Sequence, residues 1–311
     1  MSTALWLLLI AAIAALTIVY YRFPETLFGW YVALVRTTSR LTPKVINVDG
    51  IDWPYLEGGD AHGDVLVFVH GYSGDKDNWT MYARWFTKKY RVIIPDLPGF
   101  GDNTLDPALD YSIAAQAQRM LGFLDALEID TCHMAGNSMG GYVTLLIALD
   151  HPQRVSSIAL LDNAGLKSSR PSELQKQLDE GINPFTVDSL QDVDRLLAFT
   201  FHKPMYLPGA FKKVLFRLSR DRKDHLDLIL DQISAEIEET TVDARLPDIS
   251  VPTLVIWGRH DKVLDVSCVA ALDAAVPDVH SVILEHVGHI PMLEDPKTTA
   301  RHHLDFLAAK A

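Results

Sequence analysis

The sequence predicts an α/β fold: a mostly parallel central sheet with helices on both faces, a helical cap insertion and an N-terminal transmembrane helix. Three observations predict it. Short runs of continuous apolar, β-branched residues alternate with helical patterns, the alternation lapses once, over residues 165–248, and no charged residue precedes Arg22. A chain of 311 residues, 48% hydrophobic and 22% charged, has the length for one α/β core with an insertion and the apolar content for a sizeable interior.

The N-terminal element comes first. Ala4 to Tyr21 is an uncharged run of 18 residues, and as a helix it covers about 27 Å of a roughly 30 Å hydrocarbon layer. No Lys or Arg precedes it, and Tyr20-Tyr21-Arg22-Phe23-Pro24 is a poor cleavage region, so residues 1–21 read as an uncleaved anchor rather than a signal peptide. Arg22, Arg36, Arg40 and Lys44 all follow the span, which makes this a single-pass arrangement with the remaining chain on the cytoplasmic side. Residues 22–44 read as a juxtamembrane linker. Within it Leu27 to Val35 is apolar but too short to cross, and is expected to lie at the interface or pack on the domain.

Residues 45–164 and 249–311 carry the core. Buried strands are expected at 44–50, 64–71, 91–99, 131–138, 155–163, 252–261 and 280–289, because continuous apolar runs mark strands covered on both faces. Helical patterns lie between them at 79–89, 112–128, 139–150, 266–275 and 296–309. Residues 165–248, with prolines at 171, 184, 204 and 208 and no buried strand pattern, read as a helical cap over one end of the sheet.

The chemistry sits at strand ends. Gly136-Asn137-Ser138-Met139-Gly140 is a G-x-S-x-G directly after a strand pattern and directly before a helical one, the context in which a serine is held on a sharp turn. Gly136 and Gly140 supply the space that turn requires. A serine hydroxyl needs a base and a group to orient that base. His289 ends the last strand pattern, downstream of both serine and acid, and Asp261 ends the penultimate one; Asp265 and Asp162 are rival acids. His302 and His303 on the last helix read as surface residues, and His70 and His133 as structural ones. Acyl transfer also requires donors for the tetrahedral oxygen, and the backbone N–H groups of Met139 and Tyr72 are the candidates.

Composition excludes other classes. Twenty-eight basic against 40 acidic residues give a net charge of −12, which argues against nucleic acid as a partner. Cys132 and Cys268 stand far apart with no CxxC spacing, so neither a disulfide scaffold nor a zinc cluster is indicated.

The succession HG, DLPGFG, GNSMGG, GRHD and GH, from about residue 45 to the end, resembles the α/β-hydrolase superfamily. More narrowly, HGYSGDKDNW (70–79), LLDNAGL (160–166), VPTLVIWGRHDKVLDVS (251–267) and the anchor are similar to the membrane-anchored monoacylglycerol lipase branch and related bacterial lipases. The resemblance implies an α/β-hydrolase fold, a Ser138-His289-Asp261 triad, an oxyanion hole at Tyr72 and Met139, and ester hydrolysis without metal or organic cofactor. GNSMGG also occurs in relatives that hydrolyse carbon–carbon bonds of ring-cleavage products, and a non-catalytic membrane-tethered binding protein is a third reading. Relatives with an aspartate nucleophile, the dehalogenases and epoxide hydrolases, are disfavoured by serine at 138.

The cap supplies an independent signal. Lys203 to Lys223 holds seven basic residues and one acid, a local charge of +6, and Phe211, Val214, Leu215 and Leu218 recur at helical spacing. Such a helix either covers the active site or lays its basic face on anionic lipid. Phe185, Phe199, Phe201, Met205, Tyr206, Leu207 and Phe211 are candidates to line an acyl-binding tunnel. The expected substrate is a lipid-like ester.

Overall fold

The computed structural model describes residues 2–239 and 241–310. Its sheet has eight strands: β1 (Leu41–Val48), β2 (Ile51–Gly59), β3 (Val65–Val69), β4 (Arg91–Pro95), β5 (Cys132–Asn137), β6 (Val155–Leu161), β7 (Thr253–Gly258) and β8 (Val279–Leu284). Their order across the sheet is β1-β2-β4-β3-β5-β6-β7-β8. From β4 through β8 all neighbours are parallel, while β1, β2 and β4 pair antiparallel.

The sequence pattern did not reveal β2. IDWPYLEGG contains Pro54, which gives the ladder no donor, and only Trp53, Tyr55 and Leu56 are buried. The strand exists because the turn at Asp49 and Gly50 folds it back on β1, and Tyr55 to Gly59 pair with β4.

The helices are α1 (Thr3–Arg22), α2 (Pro24–Thr38), α3 (Thr80–Ala83), α4 (Ile113–Ala126), α5 (Met139–Asp150), α6 (Glu173–Asp179), α7 (Leu190–Thr200), α8 (Gly209–Asp221), α9 (Lys223–Glu239), α10 (Cys268–Ala275), α11 (Pro291–Glu294) and α12 (Pro296–Lys310). Two apolar clusters lie on opposite sides of the sheet. One gathers Trp53, Phe123, Tyr142 and Trp257, the other Phe68, Trp79, Tyr82 and Phe86. In the second, Phe68 stacks on Trp79 at 4.9 Å, and His303 of α12 is buried against Phe86 with its Nδ1 2.9 Å from the Tyr82 hydroxyl. His303 is therefore an interior residue, not the surface one expected from its helix. Its pKa is pushed down to about 3, because desolvation opposes the charged ring.

No residue of α1 is buried, and its leucines and isoleucines face outward along its 20 residues. At about 30 Å, α1 is long and apolar enough to cross a membrane. Residues 22–44 hold α2 and the first half of β1, so the core sheet begins before residue 45. Helix α2 docks onto the folded domain in two places. Phe28 and Tyr31 pack on Phe211 of α8, with ring centroids 5.2 and 5.3 Å apart. Arg36 grips Asp77 with two hydrogen bonds of 2.7 and 2.5 Å.

Residues 165–248 contain four helices, α6 to α9, and no strand among the described residues. Four of the seven basic side chains between 203 and 223 have carboxylate partners: Lys212 with Asp194, Arg217 with Glu25 of α2, Arg220 with Asp221, and Lys223 with Asp227. Asp221 is already counted in the local +6, so the three carboxylates from outside the stretch, Asp194, Glu25 and Asp227, answer half of it.

Candidate active site

Ser138 stands between β5 and α5 at φ 53° and ψ −119°, a conformation that strongly disfavours a side chain. Three backbone hydrogen bonds hold it there: Ser138 N donates to Leu161 O at 3.0 Å, and Ser138 O accepts from Tyr142 N at 3.1 Å and Ala164 N at 3.0 Å. The flanking glycines have no room for a methyl group. A Cβ on Gly136 would lie 2.1 Å from the carbonyl oxygen of Gly140, and one on Gly140 would lie 2.4 Å from those of Val69 and His70. The spacing of the motif is a packing requirement of the turn.

His289 and Asp261 meet from the loops after β8 and β7. Nδ1 of His289 lies 2.8 Å from Oδ2 of Asp261, and both side chains are buried. The other Asp261 oxygen accepts from the backbone N–H groups of Val263 at 2.8 Å and Leu264 at 3.0 Å, which fixes the plane of the carboxylate. Nε2 of His289 is then the ring atom left for chemistry, and His289 and Ser138 line the same cavity. The rival acids have other partners. Asp265 pairs with Arg170 at the surface. Asp162 is fully buried behind Asp261, with Oδ1 accepting from Gly258 N at 2.9 Å. Burial and the Asp261 charge hold the Asp162 carboxyl well above the usual carboxylate range, which favours the protonated form that can donate to Asp261.

Further residues hold the site in place. Asn137 donates to Leu161 O at 3.0 Å and to His289 O at 3.1 Å, tying the serine turn to the histidine loop; its place beside Ser138 was the available cue. Thr200 O, in the cap, accepts from His289 N at 2.8 Å. His70 is buried and neutral, since desolvation lowers its pKa. Its Nε2 accepts from Leu97 N at 3.0 Å, so Nδ1 donates to Gly71 O at 2.9 Å and sets the loop that carries Tyr72.

Gly71, Tyr72, Ser138 and His289 open onto one cavity of about 290 Å³. Met139 is the first residue of α5, where a helix leaves its N–H groups without intrahelical partners, and Tyr72 lies on the loop facing it. The Tyr72 hydroxyl donates to Leu226 O at 2.9 Å, which couples that loop to α9 of the cap. Phe185, Phe201, Met205 and Leu207 line the cavity wall, together with Leu196, Leu197 and Leu215. Three of the expected tunnel residues do not. Tyr206 is 88% exposed, Phe211 is taken up by α2, and Phe199 packs behind Phe185 at 6.2 Å. Aromatic content alone did not separate the residues facing the cavity from those facing α2 or solvent.

Residues 64–296 match the model of the alpha/beta hydrolase fold family. The chain is 35% identical to Lipase 1 of Psychrobacter immobilis over 275 residues, covering 87% of this chain and 86% of that protein. It is 26% identical to human monoacylglycerol lipase ABHD6 over 296 residues, covering 92% and 88%. Among solved structures it is similar to a membrane phospholipase A described as a bacterial virulence factor, with a TM-score of 0.90, 36% identity and 99% of both chains covered. With the serine turn, the strand order and these likenesses in agreement, the chain belongs to the α/β-hydrolase family.

Proposed function

We propose that the protein is a membrane-anchored serine hydrolase that cleaves carboxylic esters of lipid-like substrates, of the monoacylglycerol lipase type. One observation carries the mechanism: the buried His289–Asp261 hydrogen bond of 2.8 Å beside the strained Ser138 turn, with Ser138 and His289 on one cavity. His289 Nε2 accepts the proton as Ser138 Oγ attacks the acyl carbon, and the tetrahedral oxygen takes hydrogen bonds from the N–H groups of Met139 and Tyr72. The same imidazole returns the proton to the leaving alcohol. Water then repeats the sequence on the acyl-enzyme and releases a carboxylic acid.

The cavity wall favours a neutral acyl chain. No Lys or Arg is among the described residues that line it, whereas an anionic ring-cleavage product would require a cationic partner for its carboxylate. This sets ester hydrolysis above carbon–carbon bond hydrolysis. Helix α1 keeps the enzyme where long-chain esters concentrate, and the basic residues after it favour a cytoplasmic domain.

The test is labelling with a fluorophosphonate probe, followed by a panel of glyceryl and phospholipid esters of graded chain length. Ser138→Ala is expected to abolish labelling and ester turnover. Labelling retained at another serine overturns the assignment, and turnover of a vinylogous diketone in preference to every ester overturns the substrate class.

A further inference from the structure

A second cluster of histidines lies outside the catalytic constellation. His202 follows α7 in the cap, His260 stands in the loop after β7, and His286 sits in the turn after β8. One ring nitrogen from each lies within 4.8 Å of the others. The rings of His202 and His260 are parallel, 3.8 Å apart and inclined by 10°. His260 and His286 are exposed and His202 is half-buried, so the group is open to solvent.

We propose that His202, His260 and His286 form a binding site for a divalent transition-metal ion of the zinc class, at the seam where the cap meets the loops of Asp261 and His289. Three imidazoles without thiolate are the ligand set that zinc, nickel and copper accept, leaving a fourth position for water or a carboxylate. A tetrahedral ion with zinc–nitrogen bonds of about 2.0–2.1 Å brings its nitrogens to roughly 3.3 Å from one another. Closure from separations within 4.8 Å requires the parallel rings of His202 and His260 to splay, a side-chain movement at an open surface.

The backbones beneath the rings are already fixed. His260 N donates to Val287 O at 3.0 Å. One carboxylate, Glu294, accepts from His202 N at 3.1 Å, Lys203 N at 2.6 Å and Gly288 N at 2.7 Å. A Cβ on Gly288 would lie 2.7 Å from His202 N and Thr200 O, so cap and core touch at this seam. The three histidines come from three chain segments that only the folded protein brings together. A bound ion would therefore join the end of α7 to both loops of the acid and base, without touching either reacting side chain. The site stands independently of the proposed reaction.

The experiment uses untagged full-length protein in detergent micelles, freed of metal with a chelator. Zinc is titrated calorimetrically and cobalt by its visible absorption, for the unaltered protein, for His202→Asn/His286→Asn, and for His280→Asn, an exposed histidine outside the cluster. The expected result is one ion per chain, tetrahedral cobalt bands and a raised Tm with zinc, retained in His280→Asn. Loss of outer-shell partners alone weakens metal sites by about 10–100-fold, so the double variant is expected to bind at least tenfold more weakly. If its melting in chelator departs from that of the unaltered protein, the single His286→Asn carries the comparison. Absence of saturable binding, or equal affinity in the variants lacking cluster histidines, overturns the proposal.

Discussion

The carboxyl group of Asp162 lies in the interior against that of Asp261, the partner of His289 Nδ1, and burial together with the Asp261 charge raises the Asp162 pKa well above the usual carboxylate range. Asp162 is held by Gly258 N on one oxygen, while its Oδ2 is buried with no donor directed at it. A protonated Oδ2 donating to Asp261 accounts for both facts.

Asp162→Asn is therefore expected to keep the fold and most of the activity, since the amide reproduces a neutral donor. The sign of its pH effect follows from the raised pKa. The protonated native form contributes stability that is full below the unfolded carboxyl value of about 3.9 and is lost as pH rises toward the higher native value. Thermal melts at pH 4 and pH 8 should show the variant gaining on the unaltered protein as pH increases. A constant difference across that range contradicts a protonated Asp162.

Asp261→Asn tests the orientation of the base. Val263 N and Leu264 N require an oxygen opposite them, so the new amide nitrogen must face His289. Nδ1 then accepts, Nε2 carries the hydrogen, and the ring can no longer take the Ser138 proton. A fall in kcat of about 10⁴ with little change in KM is expected. Steady-state kinetics on a short-chain ester will decide it; a fall of less than tenfold would place the orienting role elsewhere.

Gly140→Ala drives a Cβ to 2.4 Å from the carbonyl oxygens at the end of β3. These atoms are backbone, so relief must come from moving the Gly71–Tyr72 loop or the serine turn. Losing one oxyanion donor costs about 3 kcal/mol, or about 10² in kcat, and the variant is expected to lose at least that much along with several degrees of Tm. Unaltered kcat would show that the turn relaxes without disturbing the donors.

His303 should set part of the acid limit of stability. Its depressed pKa means that the neutral ring contributes stability at and above about pH 6.5, which is lost as pH falls toward about 3. His303→Gln, which keeps an acceptor for the Tyr82 hydroxyl, is expected to melt lower at neutral pH. It should also lose less stability between pH 7 and pH 4, as measured by circular dichroism.

The sequence by itself determined the parts whose cause is local. The long apolar N-terminal helix is legible because length and unbroken apolarity are properties of one segment, and the parallel strands because burial on both faces leaves continuous apolar runs. Ser138 was legible because its turn admits only glycine two residues away on either side. The position of His289 after the last strand followed from chain order. Tertiary structure alone decided the rest. Strand β2 is made by its hairpin partner, against the preference of Pro54. Helix α2 takes Phe211 out of the candidate tunnel, because a side chain's surroundings depend on which neighbour reaches it. The same holds for Asp162 and Asp261, which are 99 positions apart in the chain. Their contact and the convergence of His202, His260 and His286 arise from strand ends lying side by side, and no period or motif in the sequence records that adjacency.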